Sequence, residues 1–220
     1  ILEHPEMDEL PRDEKIKLLD SLTQILANGS NDTVSRSNII QVANHYFYLN
    51  EIDKYHDVSK QLVAMGDEAN DTLDMARGYQ YIGDYFTDRS IPDSSYFYFT
   101  KAEKLLAETD DRENFGRVKL KKGYLIYKIN DLASSEAIAI QALKIAHEVK
   151  DLTLEYECYN FLSSVLTAQN KYDEAIQYNE KALKTLDEFT DDPQYFTLLK
   201  SQTYNSIGTV FMSKKEFKIA

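Results

Sequence analysis

Tryptophan is missing from the 220 residues, and cysteine occurs once, as Cys158. A lone cysteine excludes an internal disulfide and any multi-cysteine metal site. Proline (4) and glycine (7) are few, which suits long helices and short turns. Basic residues are also short, with 25 Lys and Arg against 37 Asp and Glu and a net charge of −12. Neutralising phosphates needs a Lys/Arg excess, so nucleic acid is not the expected partner. No apolar run reaches the roughly 18 residues that span a membrane, and no stretch reads as a signal peptide.

What is present points to a folded chain. Hydrophobic residues make up 43% and charged residues 28%, enough apolar surface to offset ordering entropy. The 16 Tyr and 10 Phe are expected to pack between helices, with some lining a surface. The start at Ile1 and the stop at Ala220, inside a repeat, read as the bounds of an excerpt.

Residues 1–10 are acidic and irregular. Arg12 to Ala27 places Ile16, Leu19, Leu22 and Leu26 at helical spacing. Asn28-Gly29 is expected to stop this helix in the left-handed conformation. The helix reads as a cap or as the second half of a cut repeat. From there a pattern recurs every forty residues. Its stripe is Ile39, Val42, Ala43 and Tyr46, then Tyr79, Ile82, Gly83 and Phe86, then Lys119, Lys122, Gly123 and Ile126. Tyr159, Leu162, Ser163 and Leu166 follow. A fifth copy, Tyr204, Ile207, Gly208 and Phe211, is delayed by an insertion around Phe189 to Pro193.

One column of the stripe is small: Ala43, Gly83, Gly123, Ser163 and Gly208. Gly costs about 1 kcal/mol relative to Ala inside a helix, so a recurring Gly implies close helix crossing. The partner helix carries Ala102, Ala142 and Ala182, with Leu62 departing. Asn50, Ser90, Asn130 and Asn170 recur at the turns, where they are expected to cap each second helix. Asp53, Asp93 and Asp173 follow, favourable near a helix N-terminus, with Ala133 departing. Pro92 suits a first turn.

These columns resemble the tetratricopeptide repeat family. Tyr159, Leu162, Ser163, Leu166, Ala175 and Ala182 fit the family pattern, as do Tyr79, Ile82, Gly83, Phe86, Ser95 and Ala102. The resemblance covers about residues 36–220 and departs in its period, 40 or more residues against the family's 34. It implies an all-α fold, a right-handed superhelix of antiparallel helix hairpins. Residues 1–30 are then an N-terminal segment with a capping helix or half repeat. Residues 31–220 are four hairpins and a truncated fifth in one continuous solenoid. The long helices look like sensor regions of bacterial histidine kinases or transcriptional regulators.

Motifs for chemistry are absent. There is no Gly-rich phosphate loop, no serine elbow and no zinc helix. His4, His45, His56 and His147 are scattered, although His45 and His56 fall on two helices of one hairpin. Cys158 reads as a buried structural thiol. The run Arg117, Lys119, Lys121 and Lys122 reads as a solvated helix face. Neither metal nor cofactor is expected, and the chain itself is not expected to be an enzyme.

In such an array the first helix of each hairpin lines the concave face. Off the packing columns lie Asn44, Arg77, Gln80, Tyr81, Arg117, Lys121, Tyr124, Tyr127, Asn160 and Asn205. This set is the expected ligand surface: Asn pairs with an extended backbone, Tyr offers rigid contact area and Arg holds carboxylates. The family's carboxylate clamp is incomplete, because Ile40 and Tyr81 stand where it has Lys and Asn.

The leading reading is a non-catalytic module that binds a protein, a peptide or another domain of its parent chain, with signal transduction as its role. A structural scaffold or oligomerisation array is the alternative, and a phosphatase-type regulator of response regulators a remote one. The compartment stays open between an extracytoplasmic sensor segment and a cytoplasmic regulator.

Overall fold

The computed structural model describes residues 10–188 and 193–214. Among them every regular element is a helix: α1 (Arg12–Ala27), α2 (Thr33–Tyr48), α3 (Ile52–Ala69), α4 (Thr72–Asp88), α5 (Pro92–Leu106), α6 (Arg112–Lys128), α7 (Leu132–Val149), α8 (Leu152–Ala168), α9 (Tyr172–Asp187) and α10 (Pro193–Ser213). The chain divides into two compact units, Ile1–Asp111 and Arg112–Ala220. The all-α expectation is met, and helices α2 to α9 pair into hairpins at the expected period. The insertion at 189–192 and the turn at Lys215 lie outside the described residues.

In the first unit the stripe Ile39, Val42, Ala43 and Tyr46 is fully enclosed. It forms one cluster with Leu19 of α1 and with Tyr55, Val58 and Leu62 of α3. So α1 packs against the first hairpin. In the second unit Leu120, Ala142, Phe161, Leu162, Val165, Ala182 and Leu186 share one core. Each Leu- or Phe-sized side chain removed from water contributes roughly 1.5–3 kcal/mol.

The small column marks the helix crossings. A β-carbon on Gly83 would lie 2.4 Å from Cε1 of Phe99, on the partner helix. On Gly123 it would lie 3.0 Å from Cε1 of Phe161. Ala102, Ala142 and Ala182 are fully buried, as the second column requires. Gly208 differs, with no atom within 4 Å of its would-be β-carbon. Tyr204, expected in the fifth stripe, is 61% exposed. The positions that follow in the period fall past residue 214, outside the described residues.

The turns correct one expectation. Asn50, Ser90, Asn130 and Asn170 do not cap the second helices. Each ends the first helix in the left-handed conformation, at φ between 57° and 64°. The next residue donates back to the last stripe residue: Glu51 to Tyr46, Ile91 to Phe86, Asp131 to Ile126 and Lys171 to Leu166. This six-to-one bond is the Schellman closure, which satisfies carbonyls the helix leaves open. Asn tolerates the left-handed region because its short polar side chain does. Asn70 and Lys150 do the same at the opposite turns, so within the hairpins the device recurs at half the repeat.

Two smaller corrections follow. Asn28 is right-handed, and no glycine has positive φ; its side-chain Nδ2 instead donates to the Gln24 carbonyl at 2.8 Å. The basic run is not wholly solvated. Lys122 is only 8% exposed, and the Lys119 ammonium lies 4.8 Å over the Phe115 ring.

Candidate functional site

The first helices of the second unit, α6, α8 and α10, border two open recesses. One is lined by Tyr124 of α6, by Tyr156, Glu157, Asn160 and Ser164 of α8, and by Gln202 and Ser206 of α10. Its neighbour shares Ser164 and Ser206 and adds Tyr127, Thr167, Asn170, Tyr172 and Thr209, among others. The shared residues make them one hydroxyl-rich surface. Its geometry is fixed from below. The Tyr156 hydroxyl donates to the Leu199 carbonyl at 3.1 Å and lies 3.2 Å from Thr203 Oγ1, tying α8 to α10. The Tyr124 ring sits 4.0 Å from that of the buried Phe161, which fixes it while leaving 40% of the residue exposed.

The electrostatics centre on Glu157. Among the described residues its carboxylate has no ion pair or hydrogen bond. Burial pushes its carboxyl above the ordinary range, against the opposing charges of Arg117 and Lys121. Burial, and then the charge of Glu157, also push the Tyr124 phenol up. Beside them, Cys158 is fully enclosed, and burial raises its thiol far above the range where a thiolate forms. It is the buried structural thiol expected, not a nucleophile.

Of the expected ligand residues in this unit, Tyr124, Tyr127 and Asn160 line these recesses. Asn160 donates from Nδ2 to the Tyr156 carbonyl at 3.3 Å. Asn205 is exposed but lies one step round α10 from Ser206, which lines both recesses. Arg117 has another task. Its guanidinium pairs with Asp151 at 2.6 Å and Glu113 at 3.2 Å. Asp151 uses its other oxygen to accept from Leu154 N–H at 3.0 Å, capping α8. Arg117 thus joins consecutive hairpins. Lys121 is half-buried and partnered.

In the first unit Asn44 is exposed, and its Oδ1 accepts from the Tyr81 hydroxyl at 3.0 Å. The Tyr81 ring packs 5.3 Å from that of Tyr55. Arg77 is half-buried. Gln80 is only 8% exposed, so it belongs to the packed interior rather than to an open face.

Sequence reasoning missed Glu157, Gln202 and Ser206, whereas Thr209 was placed on the inner face by helical phase. Glu157 lies three residues before Asn160 and so shares its face, a spacing that was available to find it. Gln202 and Ser206 had no such signal, since rotation of that helix is set by its packing. Also missed were the capping aspartates Asp71 and Asp151, which with Asp111 form a column at the forty-residue period.

Among the described residues no group of three or more His, Cys, Asp or Glu gathers where it would hold a metal. His56 stacks on Tyr85 with ring centroids 3.9 Å apart. No described helix is long and apolar enough to cross a membrane.

A tetratricopeptide repeat family profile matches residues 157–186. No curated protein matches the sequence. Among solved structures, BtubC from P. vanneervenii is similar at a TM-score of 0.79 and 15% identity, covering 95% of this chain and 86% of that one. The apo form of RapI is similar at 0.73 and 16%, covering 97% and 81%. A signal-transduction ATPase with a tetratricopeptide repeat sensor from Pyrococcus horikoshii is similar at 0.67 and 18%; 94% of this chain matches 30% of that one. With the recurring small columns and helix hairpins, these findings show a tetratricopeptide-like repeat fold, with the family's own profile matched over residues 157–186.

Proposed function

We propose that this chain is a non-catalytic protein- or peptide-binding module, serving as the sensory or regulatory segment of a larger bacterial signalling or transcription protein. The observation that carries the reading is the open surface of α6, α8 and α10. Tyr124, Asn160, Ser164 and Ser206 there offer a rigid aromatic face and hydrogen-bonding groups but no nucleophile paired with a base. Such a surface holds a polypeptide by contact area and polar pairing, and gives no group to break a bond. One structural neighbour, YrrB, is described as a tetratricopeptide repeat protein with an unusual peptide-binding site. Another carries such repeats as a sensor. The division into a capping segment, residues 1–30, and a repeat array, residues 31–220, belongs to the same proposal. So does a ligand role for Asn44, Arg77, Tyr81 and Asn205.

The test is selection of peptides from a random display library on the immobilised chain. Binders should lose affinity for Ser164→Arg, which fills the surface both recesses share. If Ser164→Arg keeps its circular dichroism and melting curve and also keeps every binder, the ligand surface is elsewhere.

A further inference from the structure

The recess beside Tyr124 contains one carboxylate and no counter-ion pressed against it. Glu157 lines it with Tyr124, Tyr156 and Asn160. The cations that face Glu157 come from α6 and are committed. Arg117 is held at 2.6 Å by Asp151, which itself faces Glu157 as a further negative charge. Lys121 has a partner of its own. Their attraction does not undo the burial of Glu157, so the carboxylate is desolvated without full compensation. A desolvated carboxylate gains more from an arriving cation than a solvated one does, because the desolvation is already spent in the free protein. The adjacent ring of Tyr124 is pinned against Phe161 at 4.0 Å, and an aromatic face attracts a cation within about 6 Å.

We propose that this recess receives a Lys or Arg side chain of the bound polypeptide, its cation held by Glu157 and packed against Tyr124. The inference rests on the peptide-binding reading above and names what that site selects. An acidic side chain entering the same recess would meet an unneutralised carboxylate. The recess therefore discriminates by charge sign, and the hydroxyls of the neighbouring recess take uncharged parts of the segment.

The experiment uses the 220-residue chain and displayed random peptides. Peptides selected on it should share Lys or Arg at one position. Changing that residue to Gln should weaken binding roughly tenfold or more. On Glu157→Gln the Lys and Gln peptides should bind alike. Peptides that Ser164→Arg excludes but that show no basic position would overturn the inference and leave the binding reading standing. Failure to select any peptide, or binders indifferent to Ser164→Arg, would overturn both. Matching melting curves for Glu157→Gln and the natural chain's fold guard against loss by unfolding.

Discussion

Arg36 and Arg117 join consecutive hairpins in the two units by the same device, but with different degrees of enclosure. In the first unit Arg36 of α2 reaches Asp71 at 3.1 Å and Asp74 at 2.7 Å. Asp71 caps α4 with its other oxygen, accepting from Leu73 and Asp74 N–H. In the second, Arg117 of α6 reaches Asp151, the cap of α8. The Arg36 side chain is 8% exposed and that of Arg117 26%. One aspartate thus both starts a helix and holds the arginine of the preceding hairpin. In the first joint the arginine is the enclosed partner and Asp71 keeps 31% exposure; in the second the order is reversed, with Asp151 at 12%. The second joint also lies within electrostatic reach of Glu157, which lines the recess.

The comparison can be broken by removing each arginine. Truncating one partner of an enclosed pair leaves uncompensated carboxylates. Arg36→Ala is expected to lower the melting temperature by roughly 6 °C or more. Arg117→Ala, nearer a surface pair, should lower it by roughly 2–4 °C. Equal losses in calorimetry would mean that enclosure does not set the strength of these joints.

Glycine in the shared column gives a second contrast. Gly83→Ala drives a methyl into Phe99, which is buried and has nowhere to move. It should destabilise by about 1–3 kcal/mol. Gly208→Ala meets open space and should stabilise by up to about 1 kcal/mol through helix propensity. Urea midpoints moving in the same direction for both would show that the column is not set by crossing distance.

Acid should act through the capping aspartate Asp71. Burial raises the Asp71 carboxyl, but the Asp74 N–H and the Arg36 guanidinium outweigh it and hold it below its ordinary range. A lowered folded-state pKa gives stability that is present above the ordinary value and lost as pH falls through the lowered one. The urea midpoint should therefore begin to fall near about pH 4, and Asp71→Asn should shrink that acid loss. A midpoint whose acid dependence is the same in Asp71→Asn would contradict this role.

The smallest effect concerns the recess. Glu157 has the opposite sign, a raised folded-state pKa, so the fold is favoured while it is protonated and loses stability as pH rises through that value. Glu157→Gln should raise the melting temperature at neutral pH by roughly 1–3 °C and leave it nearly unchanged at about pH 4. A stabilisation that persists in acid would mean that packing, not charge, is responsible.

The repeat was legible because its constraints are local. The period, the stripe Ile39, Val42, Ala43 and Tyr46, the small column at Gly83 and Gly123, and the buried Ala182 all follow from helical spacing and crossing distance. The turn residues were found but given the wrong task. Asn at Asn50 and Asn170 suits both a cap and a left-handed stop, and only backbone dihedrals separate the two. Of the candidate surface, Tyr124, Tyr127 and Asn160 were readable from helical phase. Gln80 was misplaced by the same phase.

By itself, then, the sequence determined an array of α-helical hairpins, because periodic side-chain size dictates which faces pack. Tertiary structure alone decided three things. It gave Arg117 to a helix cap, because the capping oxygen of Asp151 comes from the next hairpin. It left Glu157 at the recess without an ion pair among the described residues, because the nearby Arg117 is held by Asp151. And it turned Ser206 rather than Asn205 into the recess, because the rotation of α10 follows from its bonds to Tyr156.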